Sequence, residues 1–445
     1  MTPRMIVTLA VMLGVVASPT RAQVAPGDSL MHAYVRSLAD SSDAWFGATA
    51  APTDTAGLDS ALTVGLARRP GTRARARTRL EFAPSLAFDR ANGGRLGTDI
   101  TLRRSNGLRL QGTLVRTTGS RTWLGEGGVV RVWRGRSWRH RVTWSASAGR
   151  WVESFDREHL DDLTSSLDAF VTGSDRQDLL RRDGFRTSLV IRDGTGETML
   201  AWRDQGESSL PVTTRWTLLH RSLSRPDNRT AREARVRELG FGMLETIPFT
   251  RLRVRAEAWT SDRALGSGLD YRRVHVTVGG DVSLGRHWGF VPQLDYGRLY
   301  GTPVPQAGFA LGGTHSLRTI PSYTQLATGR AIARGELVLA DDLRERLHLP
   351  LPAWLPLQMS TFVASAAVWG LDATGHEPAR TRRDAPRAED WRSEVGVALL
   401  WRPGIPEPSN FVRLDVARPI GPRDHRSTSV TFTVQRLIDL LPAPR

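Results

Sequence analysis

From Thr78 onward the chain alternates apolar and polar residues with a period of two, in runs separated by Gly, Asn, Asp or Pro turns. Leu108, Leu110 and Leu114 stand against Arg109, Gln111 and Thr113. Val142, Trp144, Ala146 and Ala148 stand against Arg141, Thr143, Ser145 and Ser147. Val274, Val276, Val278, Val282 and Leu284 oppose His275, Thr277, Asp281 and Ser283. Near the end, Val412, Leu414 and Val416 oppose Arg413 and Asp415, and Val430, Phe432 and Val434 oppose Thr431 and Thr433. Successive side chains on a strand point to opposite faces, so each run is a strand with one greasy and one polar side.

Such runs cover 80–88, 96–103, 108–116, 124–133, 138–149, 185–192, 198–203, 213–220, 235–247, 251–260, 274–284, 287–299, 328–341, 356–370, 391–403, 410–418 and 427–436. The pattern predicts an all-β fold, a transmembrane antiparallel β-barrel of about 16 strands. The apolar face would meet lipid and the polar face water. An even count is the rule, so one of these segments is expected to be misassigned. Trp123, Trp133, Trp138 and Trp151 lie at segment ends, the positions of an interfacial aromatic girdle. The competing arrangement is a soluble sandwich, with the same Val, Leu and Trp residues packed between two stacked sheets.

Two stretches interrupt the pattern. Residues 152–183 place Leu160, Leu163, Leu167 and Phe170, then Leu179 and Leu180, among acids and arginines, which predicts a short helical insertion. Residues 303–327 form a long polar loop. The strand after it sets Ala331, Ala333, Gly335, Leu337 and Leu339 against Arg334 and Glu336, so the Arg–Glu pair faces the water side.

Arg4, the apolar stretch Met5–Val16 and Thr20-Arg21-Ala22 read as a signal peptide over 1–22. Residues 23–77 are expected to be a short periplasmic segment carrying one helix near Ser29–Phe46, and 78–445 the barrel. The net charge is +16 with 61 basic residues, all Arg, and the pI is about 11.3. Behind a signal peptide that charge points to a water-filled lumen or lipid headgroups, not to nucleic acid. With no cysteine there is no disulfide or thiolate metal site. His275, His287 and His315 show no metal-ligand spacing, so neither a metal nor a cofactor is expected. Gly27-Asp28-Ser29-Leu30 matches the nucleophile motif of GDSL esterases, with Asp156 and His159 as its echo. The Ser lacks a strand-to-helix seat and a positioned base, so the match is accidental and no enzyme is expected.

Gly312-Gly313-Thr-His-Ser-Leu317-Arg318, followed by Gly329 and a strand bearing Glu336, resembles the lumen-entering loop of the BamA/TamA superfamily of outer-membrane assembly factors and two-partner secretion transporters. Phe411-Val-Arg413-Leu-Asp415-Val-Ala-Arg-Pro419 is similar to that superfamily's penultimate strand, and Phe88-Asp-Arg-Ala-Asn-Gly-Gly94 to its first strand and turn. The resemblance implies an Arg folded into the lumen and paired with an acid on the wall. Here Thr319 and Ile320 replace a Gly and an aromatic, and Ala364 stands where an Asp is usual. Arg318 therefore needs another inward acid, and Glu336, Glu394 and Asp415 are the candidates. The alternative is a solvated Arg318. The usual terminal aromatic and tandem periplasmic domains are also missing from this sequence.

The resemblance implies an outer-membrane location in a diderm bacterium, and protein insertion into or translocation across that membrane. The partners would be outer-membrane lipids and unfolded or nascent polypeptide, with a monomeric barrel. The alternative is an Arg-rich diffusion pore passing anionic solutes.

Overall fold

The computed structural model describes residues 78–435, apart from 105–106, 136–139, 156–165, 167–168, 171–177, 194–195, 220–226, 248–251, 281, 314–315, 322–324, 340, 353–356, 371–384, 402–410 and 422–426. The signal peptide, the segment 23–77, the Gly27–Leu30 motif with Asp156 and His159, Trp138 and His315 lie outside those residues.

Strands β1 (Thr78–Asp89), β2 (Gly93–Arg104), β3 (Leu108–Thr117), β4 (Trp123–Arg134), β5 (His140–Ser154), β6 (Leu179–Asp193), β7 (Gly196–Ser209), β8 (Ala234–Thr246), β9 (Leu252–Ser261) and β10 (Tyr271–Gly280) follow in order. Next come β11 (Val282–Ser283), β12 (Trp288–Gly301), β13 (Phe309–Leu311), β14 (Gln325–Ala327), β15 (Gly329–Leu339), β16 (Leu357–Trp369), β17 (Arg392–Trp401), β18 (Phe411–Ile420) and β19 (Ser429–Gln435). Seventeen of them share one sheet and β13–β14 form a separate hairpin. β11 continues β10 in the same register against β12. Between them lies only residue 281, outside the described residues. Counted as one strand, β10 and β11 leave sixteen in the barrel wall, each antiparallel to the next.

The segment 213–220 is the miscounted one. Its described residues form no strand. Instead Thr213 and Thr214 donate backbone N–H groups to the Arg90 carbonyl at 3.1 and 3.0 Å. Thr214 and Thr217 are buried while Arg215, Trp216, Leu218 and Leu219 are exposed, a pattern that does not alternate. The insertion is also narrower than 152–183, because β5 runs through Ser154 and β6 begins at Leu179. Within it Ser166, Ala169 and Phe170 are helical, and Leu160, Leu163 and Leu167 lie outside the described residues.

The register decides which face meets what. Leu80, Phe82 and Leu86 of β1 stand across from Leu102, Ile100 and Leu96 of β2, and all six point outward and are exposed or half-exposed. Val395, Val397 and Leu399 on β17 and Leu414 and Val416 on β18 are likewise exposed. The positions between them point inward and carry charge: Arg182, Arg203, Glu238, Arg273, Arg330, Glu336 and Glu394 are all buried. A sandwich would invert this, so the chain is a transmembrane barrel with its apolar side on lipid.

Trp123 and Trp133 close the two ends of β4, both exposed, with Arg116 and Arg131 stacked 5.4 and 5.9 Å from their ring centroids. The ten steps between them cover about 33 Å, or about 25 Å across the membrane at a tilt of about 40°. That matches the apolar belt of such barrels. Trp151 departs from the girdle expectation. It shares the inward register of Arg182, and the Arg186 guanidinium lies 4.8 Å over its ring.

β6 ends and β7 begins, and β11 ends and β12 begins, at the end that also carries both termini of the sheet. The long connections 155–178, 210–233, 302–328 and 370–391 occupy the other end, which is the extracellular end in barrels of this kind. Among the described residues no ladder joins β1 to β19.

Candidate functional site: a loop locked inside the barrel

The connection 302–328 turns back into the lumen. A 3-10 turn at Pro305–Ala307 leads into the β13–β14 hairpin, and Val304, Phe309, Leu311, Leu317 and Leu326 are almost fully buried. Its apolar residues reach three stretches of wall. Val304, Ala307 and Phe309 pack on Val236, Leu269, Tyr271 and Leu299. Ala310 and Leu326 meet Phe155, Leu180 and Ala231. Leu311, Leu317 and Ile320 meet Ile332, Ala364 and Ala366. A segment touching walls this far apart in the strand order crosses the lumen.

The turn at the loop's tip depends on its glycine pair. Gly312 and Gly313 have φ of +116° and +84°, and a Cβ on Gly312 would stand 2.1 Å from the Pro321 carbonyl oxygen. Both positions therefore favour glycine. Gly313 N–H donates to the Ile320 carbonyl at 2.9 Å, and Gly312 N–H to the Ser316 hydroxyl at 2.9 Å. This tight turn presents Arg318 to the wall.

Arg318 meets two of the three candidate acids directly, and the third through its neighbours. Its Nε lies 3.1 Å from Oδ2 of Asp415, with both side chains buried. Its backbone N–H donates to Glu394 Oε1 at 2.9 Å. Thr319 gives its N–H and its hydroxyl to Glu394 Oε2 at 2.9 and 2.8 Å, so one carboxylate caps the whole turn. Glu336 is one step removed, bound by Arg334 at 2.8 Å, Arg413 at 2.8 Å and the Ser360 hydroxyl at 2.6 Å. Arg413 also donates to Asp415 at 2.8 Å, which ties the two acids together. Phe362 lies beneath, with the Arg318 guanidinium 4.1 Å from its ring centroid and those of Arg334 and Arg413 at 5.4 and 6.0 Å. Arginine suits this cage because its flat ion stacks on an aromatic while its edge meets carboxylates.

The departures from the family's motif find a place in this geometry. Ala364 is buried against Leu311, Leu317 and Ile320, and the acid is carried by Glu394, its register partner on the next strand. Thr319 supplies the hydroxyl that meets Glu394, and Ile320 joins the apolar cluster. Pro419 is the register partner of Glu394 on β18.

A second anchor was not singled out from the sequence. Phe309 is held between Arg273, 4.3 Å from its ring, and Arg330, 5.4 Å away. It lies over Gly297, where a Cβ would come within 2.2 Å of the ring. Arg330 donates to the Ala310 carbonyl at 3.2 Å and to Asp295 at 2.9 Å, and His275 Nε2 lies 2.5 Å from the other Asp295 oxygen. The parity that turns Arg334 inward turns Arg330 inward as well. That was the available signal, but nothing local says that a loop phenylalanine would meet it.

The extracellular end is tied to the same loop. Gln306 exchanges two hydrogen bonds with the backbone of Arg232, at 3.1 and 2.8 Å. Further along that connection, Asn228 accepts from Arg90 in the β1–β2 turn at 2.8 Å, and Arg90 reaches Asp178 at 2.7 Å.

No protein-family model and no curated protein matches the chain. Among solved structures, CdiB from Escherichia coli aligns with a TM-score of 0.42 at 12% identity, over 80% of this chain and 62% of that one. CdiB from Acinetobacter baumannii aligns at 0.38 and 10% identity, over 80% and 59%. OccK2 (OpdF) of Pseudomonas aeruginosa, in complex with glucuronate, aligns at 0.33 and 13% identity, over 80% and 95%. The chain thus spans about three fifths of the length of the two CdiB chains. At these scores none of the likenesses bears on function.

Proposed function

We propose that this chain is an outer-membrane barrel that inserts polypeptide into the membrane or passes it across, with the loop 302–328 as its gate. The superfamily resembled by the loop and by Phe411–Pro419 supplies the activity. The observation that carries the reading is the cage around Arg318. Its acids sit on β15, β17 and β18, near the sheet edge that has no ladder to β1 among the described residues. A loop anchored there couples its own release to movement of that edge.

The anion-pore alternative has less support. The lumen arginines of the late strands are matched by Glu336, Asp295 and Asp415, and the loop crosses the passage. Focusing of anions needs unbalanced charge along an open path.

The test is capture of a substrate in the reconstituted full chain. A photo-crosslinker at Thr101, on the inward face of β2, is expected to trap an unfolded exported polypeptide added from the periplasmic side. Steady anion-selective conductance with no polypeptide trapped would establish the pore instead.

A further inference from the structure

The segment 213–219 presents an apolar surface that the barrel wall does not explain. Trp216, Leu218 and Leu219 are 46%, 63% and 64% exposed, and Arg215 beside them is exposed too. The segment does not owe this exposure to looseness. Thr213 and Thr214 N–H groups bond to the Arg90 carbonyl, the Thr213 hydroxyl bonds to the Ala91 carbonyl at 2.5 Å, and Leu218 N–H bonds to the Phe170 carbonyl at 2.8 Å. Gly93 and Gly119 leave the room it needs, since a Cβ on either would stand 2.7 or 2.3 Å from a threonine hydroxyl of the segment. The exposed residues are held in place by their buried neighbours Thr214 and Thr217.

Where they are held follows from Phe88. Phe88 has the outward register of Leu86 and Phe82, so it belongs to the lipid-facing side of β1 at its extracellular end. Yet only 7% of it is exposed, because Phe170 and Trp216 cover it with ring centroids 5.4 and 5.2 Å away. Phe170 and Trp216 therefore lie over the rim, on the outside of the first strand. There Trp216 continues upward the apolar belt that Leu86 and Phe82 begin, and the exposed Leu218 and Leu219 follow it in the chain.

We propose that 213–219 is a membrane anchor, seated at the polar–apolar boundary of the outer leaflet beside the β1 edge. Its occupant is lipid: Trp216 and the two leucines enter the acyl boundary, and Arg215 meets anionic headgroups. Tryptophan and arginine favour that layer because each has an apolar body and a polar end. The proposal does not depend on what the barrel transports.

The chain has no cysteine, so single labels are clean. The full-length protein is reconstituted in vesicles with an environment-sensitive fluorophore on Leu218→Cys. The control carries it on Ala264→Cys, an exposed residue of the β9–β10 connection. Lipids spin-labelled near the top of the acyl chain are expected to quench the Leu218→Cys probe several-fold more than the control, with aqueous iodide ranking them in reverse. Equal lipid quenching at both sites would overturn the proposal. Oxidative disulfide-linked dimers through unlabelled Leu218→Cys, with no lipid quenching, would overturn it in favour of a second copy of this chain. Correct folding of each variant is checked by its heat-dependent gel mobility.

Discussion

The wall of the barrel is built twice on one rule and comes out differently. On the early wall several inward charges stay partly wet: Arg103 of β2 and Glu81 of β1 keep about a third of their side chains exposed, and Arg186 of β6 and Glu126 of β4 a fifth each, while Arg182 of β6, two residues from the loop-packed Leu180, is buried. In β15–β18 the same alternation yields Arg334, Glu336, Arg413 and Asp415, each at most 7% exposed. The difference is the loop. Where 302–328 lies against the wall, inward charges lose water and survive only by pairing; where it does not, they remain a polar lining. An ion pair is nearly worthless in the first setting and expensive to break in the second.

That contrast is sharpest at Asp415. Asp415→Asn leaves Arg318 buried without its countercharge and is expected to cost about 3–5 kcal/mol, felt by the loop more than by the barrel. The loop should become trypsin-sensitive near Arg318 while the barrel keeps its heat-dependent mobility on gels. The second anchor predicts a comparable loss: Phe309→Ala should cost about 3–5 kcal/mol and expose the β13–β14 hairpin to the same protease. Unchanged protection in both variants would mean that the loop is held by something else.

A charge on the outer face tests the wall without touching the loop. Val395→Arg, at a lipid-facing site on β17, should destabilise the barrel by about 2–4 kcal/mol, measured by urea unfolding in lipid vesicles. The smallest effect belongs to the early wall. Glu126→Gln, which removes the partner of Arg186, should change stability by no more than about 1 kcal/mol in the same assay. A larger change there would erase the distinction between the two halves.

Period-two patterning made most of this fold legible, because lipid outside and water inside force the alternation on every strand. It failed at 213–220, where Trp216, Leu218 and Leu219 mimic a strand but are exposed for a different reason. It gave Trp151 to the girdle because a strand end says nothing of parity.

At the site, parity identified Glu336, Glu394 and Asp415 as inward acids. What it could not supply was their division of labour, with Asp415 on the Arg318 side chain and Glu394 on the backbone of the turn. The Arg330–Phe309 contact was equally out of reach, since it joins a wall strand to a loop that must first enter the lumen.

The central claim is that the loop is a gate held shut at the late wall. Single-channel recording of the reconstituted chain beside Asp415→Asn tests it most directly. The wild type should be almost non-conducting, and the variant should show large, long-lived openings. A wild type that conducts steadily, with Asp415→Asn unchanged, would contradict it.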